Sequence, residues 1–162
     1  MFHRVLMAAA ATLLFAGAAA AGPPAPGTSV ASTTFTTAYG QSLSIRDLRG
    51  NVIILTYWMR DCEVCDVQVA VLDYYYRQRK DLGLKVLAMP AEELTEYQLR
   101  KAFKGKGVYP LVRIRGPFEP LGRLPTTYIV DRYGQVRYYK SGLLDVAKLN
   151  EVLIPLLRQP QP

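Results

Sequence analysis

From Asn51 to Trp58 the chain reads NVIILTYW, an almost unbroken apolar run of strand length and β-branched content, which predicts a strand buried on both faces. Ahead of it, TTFTTAYGQSLSIRDLRGN alternates β-formers about the turn signal Tyr39-Gly40 and predicts a short hairpin. Behind it, Val67, Val71, Leu72 and Tyr75 recur at helical spacing between Cys62 and Lys80, so the cysteines open a long helix that Gly83 stops. GLKVLAMP predicts a second buried strand ending at Pro90, and AEELTEYQLRKAFKGKG an amphipathic helix with acids early and bases late.

After Pro110 come the strand LVRI, a loop broken by Pro and Gly through Leu124, and two strands, TTYIVD and QVRYYK, that the turn RYG joins into a hairpin. DVAKLNEVLIPLL closes the pattern as a helix that Pro155 kinks or ends. The order strand, helix, strand, helix, hairpin, helix predicts an α/β domain, a mixed sheet with helices on both faces.

At 162 residues, half of them apolar, the chain supports one hydrophobic core and one domain. Its first 21 residues read as an export signal: Arg4 precedes the apolar run Val5 to Phe15, then AGAAAAG, where Ala19 and Ala21 fit a cleavage site ahead of Gly22. This places the protein in the periplasm, with an uncleaved N-terminal anchor as the alternative. Residues 22–31, GPPAPGTSVA, read as a linker, 32–157 as the folded domain and 158–162 as a disordered tail.

The formal net charge is +7, and removing residues 1–21 takes away Arg4 and no acid, leaving +6. Arg100, Lys101, Lys104, Lys106, Arg113 and Arg115 lie in a stretch from Tyr97 to Phe118 that holds no Asp or Glu. Such a run suits an anionic partner or a weak contact with a membrane surface, although charge runs are more often a solvated helix face and loop. Nothing in the chain resembles a nucleic-acid-binding motif.

The chemistry lies in TYWMRDCEVCDVQ, which holds both cysteines, Cys62 and Cys65. A zinc site needs about four ligands, and beyond these two the chain offers one histidine, His3, inside the signal segment. Covalent haem attachment needs His after the second cysteine, where Asp66 stands. No metal or cofactor is therefore expected. A structural disulfide is open to an exported protein, although so small a loop removes little chain entropy. A redox pair has a positive rationale: a cysteine in the first helical turn faces free N–H groups and the positive end of the helix dipole, which favour its thiolate. Cys62 is then placed to attack and Cys65, one turn along, to resolve the mixed disulfide.

VIILTYWMRDCEVC, LDYYYRQRKDLGLKVLAM and LPTTYIVDRYGQVRYYKSGLLD together resemble the thioredoxin-like periplasmic thiol-disulfide oxidoreductases of the TlpA/ResA type, from about Ser32 to Leu157. The resemblance implies a thioredoxin fold with an N-terminal β-hairpin, Cys62 as nucleophile and Cys65 as resolving thiol. It also implies a cis peptide before Pro125 that exposes the backbone of Leu124 to an extended substrate segment, and it matches Trp58 to the aromatic beside the site. Departures accompany it. Asp61 stands where the family carries Trp, Thr56 where thioredoxins carry a proton-transferring acid, Gln68 where reductases often carry Glu, and Ala70 where the helix usually has Pro.

Asp61, Glu63 and Asp66 lie close to Cys62 in sequence, and each exposed charge costs its thiolate roughly 0.5 kcal/mol before salt screening. Together they offset much of the dipole's help, and Arg60 returns part of it. A modestly lowered thiol pKa argues for a reductant, while Glu63 and Asp66 equally complement a helix N-terminus. The leading expectation is a reductase of client-protein disulfides, recharged by a membrane thiol electron donor; by resemblance its clients are apocytochrome c cysteines or a copper-site assembly protein. A disulfide oxidase or isomerase, or a redox-inert binding module of the same fold, is the alternative. Peroxidase and acid–base hydrolase chemistry find less support.

Overall fold

A computed structural model describes residues 22–162. The signal reading of residues 1–21, with His3 and Arg4, lies outside the described residues. Strands β1 (Thr34–Thr37) and β2 (Ser42–Ser44) form the hairpin about Tyr39-Gly40, and β3 (Val52–Trp58) is buried along its whole length. Helix α1 (Glu63–Arg79) ends in a short 3-10 turn, Lys80–Leu82, which Gly83 terminates in the left-handed region at φ 80°, where a side chain would be strained. There follow β4 (Leu84–Pro90), α2 (Glu96–Ala102), β5 (Tyr109–Arg115), β6 (Thr126–Val130), β7 (Val136–Ser141) and α3 (Val146–Arg158).

The strands make one mixed sheet in the order β2-β1-β5-β4-β3-β6-β7. β3 pairs in parallel with β4 and antiparallel with β6, which puts the strand leading to the cysteines at the centre of the β4-β3-β6-β7 half. Side chains alternate across β3 as a strand demands. Val52, Ile54 and Trp58 enter one core layer with Leu72 of α1, Leu99 of α2 and Leu153 of α3. Ile53, Leu55 and Tyr57 enter the other layer, with Val30, Phe35, Phe118 and Tyr128.

All three helices thus feed one layer, where the sequence pattern led us to expect helices on both faces. The reason is topological. The crossovers β3-α1-β4 and β4-α2-β5 step across the sheet in the same direction, and right-handed connections then place both helices on the same face. The other face is closed by the N-terminal segment and the loop that carries Phe118.

Four further expectations need correction. Residues 27–30 are not a free linker. Gly27 N–H donates to Val136 O at 2.7 Å, Val136 N–H to Thr28 O at 3.0 Å and Val30 N–H to Gly134 O at 2.8 Å, so they cover part of the outer edge of β7 and Val30 is buried. α2 is short, because Thr95 and Gln98 form a reciprocal capping box that delays its first residue to Glu96, five beyond Ala91. α3 does not end at Pro155 but runs through it to Arg158, since a proline this near the end forfeits one backbone bond while Leu156 and Leu157 remain packed. Val67 is 47% exposed; the buried face of α1 is Cys65, Gln68, Val69, Leu72 and Tyr75.

The end of the sheet away from the cysteines is held by a buried charge. Arg132, 2% exposed, donates to Gly50 O, to Leu82 O at 2.9 Å and to Leu157 O at 2.8 Å, tying the entry to β3, the 3-10 turn and the end of α3 together. Asp131 beside it accepts the N–H groups of Tyr133 and Gln135, both at 2.9 Å, in the β6–β7 turn.

Candidate active site

Cys62 is the N-cap of α1. Its backbone is extended, its carbonyl accepts the N–H groups of Cys65 at 2.9 Å and Asp66 at 3.0 Å, and its Sγ accepts the N–H of Cys65 at 3.3 Å. The sulfur therefore takes the place of the capping oxygen found at other helix starts, and a thiolate there meets both a donor and the helix dipole. Cys62 and Cys65 form a disulfide with a Cα–Cα distance of 5.2 Å. Cys65 is fully buried and Cys62 half-buried, so an incoming sulfur reaches Cys62.

Asp61, the residue before the cap, has φ 54°, and it is the non-glycine residue of the described chain in the left-handed region. Asp is among the side chains that tolerate that region, so Asp61 has a conformational reason to stand there besides its charge. Arg60 is engaged elsewhere: its N–H donates to Glu92 Oε1 at 2.5 Å and its guanidinium pairs with Glu92 Oε2 at 3.3 Å. These bonds, the backbone one first, hold the Glu92 carboxyl below the usual carboxylate range. Asp61, Glu63 and Asp66 are exposed, and none joins an ion pair among the described residues.

Beneath the cysteines the polar groups are neutral. Thr56 lies fully buried on the helix-side face of β3, 3.2 Å from Thr127 across to β6. Gln68, also fully buried, accepts the N–H of Leu144 at 2.7 Å through Oε1, while its Nε2 has no protein partner. Trp58 sits inside the same core, edge-on to Phe103 at 4.9 Å between centroids, because even-numbered positions of β3 face the helices. It packs there, and with Asp66 and Val69 of α1, Phe103 and Lys106 it also lines a cleft of about 200 Å³ next to the first turn of the helix.

The Leu124–Pro125 peptide is cis. The register Tyr57↔Thr126 sets Pro125 level with Trp58, at the sheet end from which the cysteine turn leaves. Thr126 Oγ1 bonds Arg123 O at 3.1 Å, Ser141 Oγ bonds Leu121 O and Arg123 O, and Gly142 N–H bonds Pro125 O at 2.8 Å, so the loop is fixed on both sides. Leu124 is half-buried, and among the described residues its own N–H and C=O take no part in these bonds.

Glu92, Thr127 and Leu144 escaped the sequence reading; each meets the site from 30 or more residues away, with no local pattern to mark it. The basic stretch is divided: Arg100, Lys101 and Lys104 lie on or just beyond α2 with Tyr39 and Tyr97 nearby, and Arg113 and Arg115 on β5. Arg100 is in part a tether, donating to Ala38 O at 2.6 Å. Among the described residues no group of three or more His, Cys, Asp or Glu side chains gathers to hold a metal, and no helix is long and apolar enough to cross a membrane.

The AhpC/TSA family model matches residues 22–111. The thiol-disulfide oxidoreductase ResA of a Bacillus cereus strain is 26% identical over 103 residues, 60% of this chain and 58% of that protein. The matched part therefore spans less than two thirds of that relative. The ResA of Halalkalibacterium halodurans is 25% identical over 124 residues, 72% of this chain and 70% of that one. Among solved structures, a secreted thiol-disulfide isomerase from Corynebacterium glutamicum superposes with a TM-score of 0.68 at 16% identity, covering 80% of this chain and 86% of that one. The thioredoxin domain of a thiol-disulfide oxidoreductase from Bacteroides vulgatus does so with 0.60 at 18% identity, covering 83% and 99%. These likenesses establish the thioredoxin fold.

Proposed function

The chain belongs to the AhpC/TSA family, and from that premise we propose that it is a thiol-disulfide oxidoreductase that reduces client-protein disulfides through Cys62 and Cys65. The observation that carries the reading is the asymmetric pair at the start of α1: an accessible sulfur capped by a backbone N–H and a buried one a turn behind it.

In the dithiol form, the Cys62 thiolate attacks one sulfur of a client disulfide. The Cys62–client bond forms, the client disulfide breaks, and the departing client thiolate takes a proton from water. Cys65 then loses its proton and attacks Cys62 Sγ. The Cys62–Cys65 disulfide forms and the second client thiol leaves. Two electrons pass to the client, and a dithiol donor returns them to the protein. Leu124 offers backbone groups beside the sulfurs for an extended client segment, which supports its role in binding.

The finer reading rests on the export-signal pattern for location and on the family resemblance for donor and clients. Residues 1–21 direct export to the periplasm, a membrane thiol carrier supplies the electrons, and the clients are haem-attachment cysteines or a copper-site assembly protein. Arg100 to Arg115 adds a weak contact with the membrane surface. Equilibrating the protein in glutathione or dithiothreitol buffers and trapping thiols tests the direction of flow. A reduction potential near or below about −250 mV supports the reductant, and one near about −120 mV overturns it in favour of an oxidase.

A further inference from the structure

We propose that the exposed apolar flank of α1, together with the acids beside Cys62, is the docking surface for a cysteine-bearing protein segment that is itself apolar and basic. The inference rests on the thiol–disulfide reading above and adds the surface chemistry by which a partner is recognised.

The flank is a continuous stripe. Val64, Val67 and Tyr74 are 40%, 47% and 59% exposed, with Val71 half-buried between them. At about 100° per residue these four positions share an arc of roughly 80° that adjoins, on the Val64 side, the core face of Cys65, Leu72 and Tyr75. Val146, itself half exposed, stands across from Val71 and Tyr74, and the two helices leave between them a groove of about 530 Å³. Single apolar residues on a surface need no account, but a stripe that starts in the first turn beside a reactive sulfur does.

The charges say what covers it. Asp61, Glu63 and Asp66 are exposed and outside every ion pair described, while Arg60, the nearest cation in sequence, is held by Glu92. On a chain of net charge +7 the first turn of α1 thus gathers three acids, against which Lys106, sharing a cleft with Asp66, is the facing base, so the turn keeps a net negative charge and attracts cations. A second copy of this chain fits the stripe less well. The bases at the far end of α1 that would have to meet those acids are in use: Arg77 bonds Asp73 at 3.0 Å and Gly105 O at 2.6 Å, and Arg79 lies over the Tyr75 ring at 4.5 Å. A partner segment running along α1 with its cysteine at Cys62 sets apolar side chains on Val67 and Tyr74 and bases against the acids.

The test uses synthetic peptides, each with one cysteine carried as a mixed disulfide with thionitrobenzoate. Attack by reduced Cys62 joins the peptide to the protein and releases coloured thionitrobenzoate, so stopped-flow absorbance reads the second-order rate. Three peptides flank the cysteine with Lys and Leu, with Glu and Leu, or with Lys and Ser. At low salt the Lys/Leu peptide is expected to react about tenfold faster than Glu/Leu, with the gap closing as salt rises, and several-fold faster than Lys/Ser.

Ratios between peptides are the readout, because they cancel any change in the intrinsic reactivity of Cys62. Asp61→Asn/Glu63→Gln/Asp66→Asn should erase the preference for Lys over Glu and keep that for Leu over Ser; Val67→Ser/Tyr74→Ser should do the reverse. All five side chains are exposed, and a thermal melt of each variant verifies folding. Equal wild-type rates for all three peptides overturn the proposal while leaving thiol–disulfide exchange standing. Failure to react with any of them overturns the exchange reading itself. A dimer in sedimentation that dissociates in Val67→Ser/Tyr74→Ser assigns the stripe to a second copy and also overturns the proposal.

Discussion

At the end of β3 where Val52 enters the sheet, a guanidinium and a carboxylate, Arg132 and Asp131, are buried in hydrogen bonds. At the end where Trp58 leaves toward Cys62, the buried polar groups are the neutral Thr56, Thr127 and Gln68, and Asp61, Glu63 and Asp66 stand in water. Charge is thus placed inside where it fixes geometry and outside where a sulfur must change its protonation. A buried carboxylate near a thiol couples the two titrations. This site has none among its described residues; what surrounds the pair is the helix start and the exposed Asp61, Glu63 and Asp66.

The largest effects belong to the sulfurs. Cys62→Ser should lower thiol–disulfide exchange by orders of magnitude, whereas Cys65→Ser should leave the first attack intact and accumulate a mixed disulfide visible on a non-reducing gel. If both variants merely slowed turnover alike, the difference in burial between the two sulfurs would not assign their roles.

Thr56→Asp erases the contrast by placing a carboxyl beneath the cysteines. Burial raises its folded-state pKa above the unfolded value near 4, so the folded state holds a proton that the unfolded state has lost. Stability should then fall as pH rises from about 4 toward that raised pKa, reaching a loss of several kcal/mol by neutrality. Thermal melts from pH 4 to 8 read the slope, which the native Thr56 cannot produce. A flat profile would mean that the pocket admits water and is less buried than its packing indicates.

Arg132→Met disturbs the other end. Three carbonyls lose a charged donor, at an expected cost of about 3 kcal/mol and about 10 °C in Tm. The reduction potential should not move, since Arg132 bonds only groups at the entry to β3 and the ends of the 3-10 turn and α3. A shifted potential would show that the two ends are coupled after all.

What the sequence disclosed follows the same division. β3, the hairpins and the cysteine turn were legible because each rests on a contiguous pattern: an apolar run, a turn pair, a motif of two cysteines. The thioredoxin fold was legible through three such stretches taken together. Long-range partners were not. Nothing near Arg60 names Glu92, and nothing near Gln68 names the N–H of Leu144. Gln68 stands out only as the residue where reductases often carry Glu, with nothing to mark it as fully buried, while Val67 reads as core and is exposed. Counting apolar residues finds a helix, but its phase depends on the turn that starts it, here the cap by Cys62. Residues 22–31 have the composition of a linker, and only the open edge of β7 reveals why part of them is docked.

The smallest effect tests the cation nearest Cys62 in sequence. Glu92 holds Arg60 by an exposed pair that contributes at most about 0.5 kcal/mol. Its carboxyl is held below the usual range, so that contribution is present at neutral pH and lost as pH falls through the lowered pKa. Glu92→Gln should therefore barely alter Tm at pH 7 and not at all well below pH 4. Its effect on Cys62 is more informative. Removing the carboxylate charge and releasing the guanidinium both favour the thiolate, so the thiol pKa, followed by absorbance near 240 nm, should fall by a few tenths. Arg60→Gln/Glu92→Gln separates the two causes. If release of Arg60 contributes, the double variant should regain part of the fall. If it matches Glu92→Gln, Arg60 never reaches the sulfur, and the acids beside Cys62 draw no counter-charge from Arg60.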